Sequence, residues 1–218
     1  MVDAEPGVGE DVIRNFVLGP AMGALMHQRG FLVLHASAVA LGGVAAVFLG
    51  DSEWGKSTTA AACYRAGHAL IADDTTAVDL GGAVPTAIPA IPRIKLWPES
   101  LRALSLDPDG FERVHAELDK RQLPAPRGFP SAPVPIGAIY ILGDGAEVGV
   151  EPHTGHEAVI DVVRHSYAVD LLRATGTQGR HFLQCTDLVG RVPVRRLITG
   201  GSLDAIHRIP AAVADDLS

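Results

Sequence analysis

Apolar positions change period several times along the chain, and each change marks an element. Between residues 10 and about 29, Val12, Ile13, Phe16, Val17, Leu18, Met22, Leu25 and Met26 recur at helical spacing, and Gly19-Pro20 is expected to interrupt or restart that helix. Residues 31–41 and 44–49 are short apolar runs joined by Gly42-Gly43, which predicts two buried strands and a tight turn. Residues 57–66, rich in Ala and Thr, suit a helix that stops at Gly67. Residues 69–80 begin as a buried strand and run into Asp73-Asp74. Four prolines surround Arg93-Ile94-Lys95-Leu96-Trp97 in residues 81–98, so that segment is expected as a rigid loop or edge strand.

Further on, a helix is expected at 99–104. Capping-box spacing at Asp109–Glu112 predicts a second, polar helix to about 121. The five prolines of 123–135 read as a loop, either a lid or an oligomer contact. Residues 136–142 and 147–151 predict a hairpin across Gly143-Asp144-Gly145. Thr154 to Glu157 is another capping box, opening a helix with Ala158, Val159, Val162 and Val163 on its apolar face. A helix near 177–189, an edge strand at 192–197 because of Pro193, and a short last helix at 203–207 capped by Ser202 complete the pattern. Residues 1–9 read as a flexible tail and 10–218 as a single α/β domain, with the later segments forming a smaller hairpin-bearing lobe.

Composition narrows the function. The 218 residues are 47% apolar, enough for one sizeable core. A net charge of −7 argues against a nucleic-acid partner, so any anion site needs its positive charge concentrated locally. Residues 31–50 contain no Asp, Glu, Lys or Arg, yet Gly42-Gly43 and His35 break the run, and two strands explain it better than a membrane span. The two cysteines, Cys63 and Cys185, imply no disulfide framework, and the acidic N-terminal residues suit no signal peptide; a cytoplasmic protein is expected.

The strongest chemical signal is G-D-S-E-W-G-K-S, Gly50 to Ser57, which fits the phosphate-loop pattern G-x-x-x-x-G-K-[ST]. An apolar strand before it and a helix after it aim a helix N-terminus at an anion. Gly50, Asp51, Ser52, Glu53, Trp54 and Gly55 would form the cradle for a nucleotide's phosphates. Lys56 would reach the β- and γ-phosphates, Ser57 would hold Mg²⁺ and Thr58 would donate to the α-phosphate. Trp54 either stacks on a base or covers the edge of the core. An acidic residue at the end of a neighbouring strand completes such a metal site, and Asp73-Asp74 stands there. Arg93 and Lys95 are either phosphate clamps or solvated loop cations. His153, His156, His165 and His181 show no metal-ligand spacing and are expected at the surface or at helix ends.

The combination L-H-A-S-A-V-A-L at 34–41, the loop with Thr58-Thr59, and I-A-D-D at 71–74 resembles the catalytic domain of HPr kinase/phosphorylase. That resemblance implies a P-loop fold allied to phosphoenolpyruvate carboxykinase, use of ATP and Mg²⁺, and transfer to a serine hydroxyl of a peptide or small protein. Asp73 would be the general base, Asp74 a metal ligand beside Ser57, and His35 a catalytic residue near both. The short form is similar to stand-alone kinases that phosphorylate the C-terminal serine of lasso-peptide precursors. The family's oligomeric habit makes a homo-oligomer compatible with the resemblance. Two departures stand out: the thirty residues before Phe31 leave no room for the bacterial enzyme's separate N-terminal domain, and Glu53 occupies a position where the family usually has Gly. Two alternatives stay open: a small-metabolite kinase, which the same core would support equally, and a nucleotide-binding regulator or scaffold that has lost turnover, which Glu53 favours.

Overall fold

A computed structural model describes Glu5, residues 7–115 and residues 117–218, so the tail expected at 1–9 lies largely outside the described residues. Helices α1 (Glu10–Phe16) and α2 (Met22–Gln28) are joined by one π-helical turn, Val17–Ala21, that contains Pro20. Proline removes an amide and crowds the preceding turn, so the helix widens at the expected interruption instead of ending. Strands β1 (Leu32–Leu34) and β2 (Ala36–Leu41) break at His35, and β3 (Val44–Leu49) follows the Gly42-Gly43 turn. Then come α3 (Lys56–Arg65), β4 (Ala69–Ala72), β5 (Thr76–Asp79), β6 (Thr86–Ala87), β7 (Arg93–Leu96) and α4 (Pro98–Ala103). After β8 (Arg113–His115), β9 (Leu118–Pro124), β10 (Val134–Gly143) and β11 (Val148–Pro152), three helices follow: α5 (Gly155–Arg164), α6 (Val169–Ala174) and α7 (Gln178–Arg191). Strand β12 (Val194–Thr199), a 3-10 turn over Leu203–Arg208 and α8 (Ile209–Asp216) complete the chain.

The class is α/β, as expected. Among the described residues the main sheet runs β1-β5-β6-β10-β3-β2-β4, with β12 on the far side of β10 and β11 on β12. Its central strands are apolar on both faces because both are covered. One face packs α3, α4 and α8 on Val39, Ala46, Phe48 and Tyr140; the other packs α5 and α7 on Ala38, Val47, Leu49 and Ile139. The Tyr140 hydroxyl donates to Asp216 (2.8 Å), which ties α8 to the first face.

Strand direction decides where the site lies. Strand β2 is antiparallel to both β3 and β4, so β3 and β4 point the same way. Their carboxyl ends, Leu49 and Ala72, therefore emerge beside Ala36 at the start of β2, and the parallel strands β10 and β12 end on the same side. Open α/β sheets bind ligands beyond such ends.

Several expectations fail where long-range pairing overrides local pattern. No helix fills 109–121: Asp107 caps a single 3-10 turn by accepting from the Asp109 amide, and the chain then extends so that β9 can pair with β7 from Leu96↔Arg121 to Arg93↔Pro124. That polar segment has no apolar stripe to bury as a helix, whereas Val114 and Leu123 both turn inward from strands. Strands β10 and β11 form no hairpin, because β12 lies between them, parallel to one and antiparallel to the other. Strand β12 is thus interior, not an edge; Pro193 precedes it, and its carbonyl accepts from the Ile139 amide. The small lobe is the sheet β7-β9-β8 from the middle of the chain, not from the later segments. Neither Thr154 nor Ser202 caps through its side chain, and α8 has no counterpart among the expected elements. His153, His165 and His181 are buried, not superficial, although His165 does stand at a helix end, the carboxyl end of α5; His153 bonds Asp161 (2.9 Å), and burial pushes His181 down to about 4. Both cysteines are buried and unpaired, and burial pushes each thiol up to about 12. Among the described residues no helix is long and apolar enough to cross a membrane.

Candidate functional site

Beyond Leu49 the chain turns through Gly50 to Gly55 and enters α3 at Lys56. Gly55 sits at φ 89, where added side-chain bulk would find open space but the backbone favours glycine. Glu53 also lies in the left-handed region, at φ 67, where an L residue is strained by roughly 1–2 kcal/mol. The loop thus adopts at Glu53 a conformation that glycine would take freely. Lys56 is buried, and its Nζ donates to the carbonyls of Gly50 and Asp51, both at 2.9 Å. Burial lowers the pKa of this ammonium against the opposing pull of Asp74 and Asp73. An ammonium held only by neutral carbonyls at the mouth of a cleft is a ready partner for an anion.

The two aspartates follow the last residue of β4, so the alternation of an extended strand no longer applies to them. Asp74 sits at φ 72, and this left-handed step brings both carboxylates to one side. Asp73 accepts from the Ser37 hydroxyl (2.7 Å) through Oδ1 and from the Lys95 amide (2.8 Å) through Oδ2. Burial raises its pKa, opposed by those two bonds and by a hydrogen bond from Ser57. Asp74 accepts from Lys95 Nζ (3.0 Å). Burial would raise its pKa too, but the charge and hydrogen bond of Lys95, with His35 and Lys120, prevail and lower it. Ser57 lines the cleft together with Asp74, and Asp73 also takes a hydrogen bond from Ser57.

His35 occupies the break between β1 and β2. Its Nδ1 lies 2.9 Å from the Asp74 carbonyl, an acceptor only, so Nδ1 carries the proton and Nε2 is left as an acceptor. Burial, then the charge of Lys56, lowers its pKa and keeps the ring neutral. The His35 amide donates to the His165 carbonyl (2.8 Å), and the His165 ring stands 4.0 Å from the Asp51 carboxylate.

A cleft of about 600 Å³ joins these groups. His35, Ser52, Glu53, Lys56, Ser57 and Asp74 line it together with Lys95, Trp97, Ser100 and Lys120. A groove of about 390 Å³ continues past Trp54, Thr58 and Leu142. Thr58 already shares a hydrogen bond with Ser100 (2.9 Å). Arg93 is not brought to the cleft: it donates to Gln122 (2.7 Å) and lines a separate cavity. Lys120, His165 and Ser100 join the site without any sign in the sequence, and Ser37 lies inside the 34–41 segment without a role assigned to it there; Lys120 sits in a segment without motif, and only strand pairing carries it here. The donor set suits a magnesium nucleotide, with cations for the phosphates and hard carboxylate and hydroxyl oxygens for the metal.

The fold and site are those of an α/β protein with a phosphate-loop cleft at the carboxyl edge of its sheet. No protein-family model matches the sequence, and no curated protein matches it. Among solved structures the chain is similar to the Hpr(Ser) kinase/phosphatase from Coxiella burnetii, at 11% identity and a TM-score of 0.45, over 84% of this chain and 95% of that one. A likeness of that degree does not carry chemistry across, and the side chains of the cleft have to supply it.

Proposed function

We propose that this protein is a phosphotransferase that moves the γ-phosphoryl group of ATP to a serine hydroxyl of a peptide or small protein. One observation carries the reading. Buried Lys56, Ser57 and Asp74 line one cleft, and Asp73, set behind it, takes a hydrogen bond from Ser57. Mg²⁺, when bound, would neutralise negative charge on the phosphates.

Gly50 to Gly55 would wrap the phosphates through their amides, and Lys56 would exchange its two carbonyl partners for phosphate oxygens. Trp54, exposed beside the second groove, offers a face to the base. Ser57 and Asp74 would hold the metal, with Asp73 as a second carboxylate on the Ser57 hydroxyl. Asp73 then takes the acceptor's proton as its oxygen bonds phosphorus and the bond to the departing diphosphate breaks. A carboxyl whose pKa burial raises is better matched to that task than an ordinary one. His35, neutral and with Nε2 as an acceptor, would position the acceptor hydroxyl. Two buried thiols suit a reducing, ATP-containing compartment, the cytoplasm.

The test is incubation with γ-labelled ATP, Mg²⁺ and a peptide ending in serine. Label on the peptide supports the reading; label only on small metabolites moves it to a metabolite kinase. A second reading, a nucleotide-binding regulator without turnover, is favoured by the strained, acidic Glu53 in the loop. ATP binding with no transfer to any acceptor would establish it.

A further inference from the structure

A cavity of about 240 Å³ lies behind the two aspartates, between α1–α2 and residues 88–91. Its apolar walls are Leu18, Met22, Met26, Ala77, Ile88 and Ile91, with Asn15, Thr75, Arg93 and Lys95 at its polar margin beside the aspartates. Asp74 lines both this cavity and the phosphate cleft, whereas Asp73 lines the cavity and not the cleft. The two spaces therefore meet at the carboxylates, one holding the loop and the other holding apolar surface. A hydroxyl that reaches Asp73 from the cavity side brings whatever is attached to it against those apolar walls. At about 240 Å³ the space falls below the ~300 Å³ at which pockets begin to enclose a whole small ligand, so it has room for one side chain. Two of its walls are methionines, which adapt to more than one apolar shape.

We infer that this cavity receives an apolar side chain of the acceptor peptide, adjacent to the serine that is phosphorylated. The inference rests on the phosphotransferase reading and adds the class of acceptor. Polar surroundings on the serine are disfavoured, and a leucine-sized neighbour anchors it.

The experiment compares three capped hexapeptides: one of glycine around a central serine, and two with leucine immediately before or after that serine. Transfer from γ-labelled ATP is measured with the wild-type chain and with Met22→Trp, which fills the cavity from a partly exposed helix position. Leu18→Trp, from the neighbouring turn, fills it independently should the first variant fold poorly. One leucine peptide is expected to exceed the glycine peptide in kcat/KM by about 10- to 100-fold, the value of burying such a side chain. Both filled variants are expected to bring that ratio close to one. A wild-type ratio below two, or a ratio that survives both variants, overturns the inference. Should no peptide accept label, the phosphotransferase reading falls. Fluorescence anisotropy of the same peptides, dye-labelled, then decides the cavity separately: a leucine preference lost in the filled variants supports it, and equal binding overturns it.

Discussion

Glu53 allows strain and charge in the loop to be separated. Its φ of 67 costs roughly 1–2 kcal/mol for an L residue. Glycine would relieve that cost but gain chain freedom when unfolded, worth about 0.5–1 kcal/mol in the other direction. Glu53→Gly should therefore leave stability between the parent's and about 1.5 kcal/mol above it, a rise in melting temperature of no more than ~6 °C in a domain of this size. The charge acts on binding, not folding. A carboxylate about 7 Å from a unit of phosphate charge in a water-like medium contributes ~0.6 kcal/mol of repulsion, and two such charges about twice that. Glu53→Gln, which removes the charge and keeps the strain, is expected to tighten ATP about 3- to 10-fold at low salt by titration calorimetry. Glu53→Gly should gain at least as much. Raising ionic strength from 50 to 500 mM shortens the screening length and should shrink the difference between Glu53→Gln and the parent. Weaker ATP binding by Glu53→Gln, or a gain indifferent to salt, would refute the placement of this side chain beside phosphate.

Asp73→Asn is expected to lower transfer by about 10²- to 10⁴-fold while ATP still binds. It should also raise the melting temperature at neutral pH. The folded pKa of Asp73 lies above its unfolded value, so its contribution to stability is full below the unfolded pKa and is lost as pH rises through the folded one. Asparagine never ionises, so melts from pH 4 to 8 should show its advantage growing with pH; a lower melting point at pH 7 would refute this. Lys95→Met has the opposite sign. Asp74 is held below its ordinary value largely by Lys95, so that stability exists above the unfolded pKa and is lost in acid. The variant should melt lower than the parent at pH 7 and converge with it at low pH. Gly23→Ala would place a methyl within 2.5 Å of the Tyr167 ring. Despite alanine's better helix propensity it should cost about 1–3 kcal/mol by denaturant titration; unchanged stability would mean α2 does not rest on that ring.

The parts of the site that could be read from the sequence are those whose geometry is local. The strand, loop and helix around Lys56 have neighbours in sequence as neighbours in space, so motif and structure agree there. His35, Gly50 and Asp73 share a further signal, a polar residue or glycine where a buried strand stops. Gly50 and Asp73 follow the ends of β3 and β4, which run the same way, and His35 precedes β2, which runs against both, so all three meet at one sheet edge. What remained hidden depends on pairing across the chain. Lys120 reaches the cleft only because β9 pairs with β7, and that pairing is why a capping-box pattern at 109–112 yields no helix. Strand β12 separates β10 from β11 because the chain through α5–α7 crosses one face before returning. The two aspartates show the same division within a single pair of residues. Alternation along an extended strand would send them to opposite faces, and although the polar pair marks the end of the strand, nothing local says that the chain turns left-handed at Asp74. The left-handed turn at Asp74 resolves the conflict at a cost in backbone strain, as Glu53 does in the loop opposite. Of the four non-glycine residues at positive φ among the described residues, two line the phosphate cleft. Strain placed there sits beside the loop carbonyls that Lys56 bonds and the carboxylates that Lys95 bonds, so the groups that face the cleft are held from both sides of each strained turn.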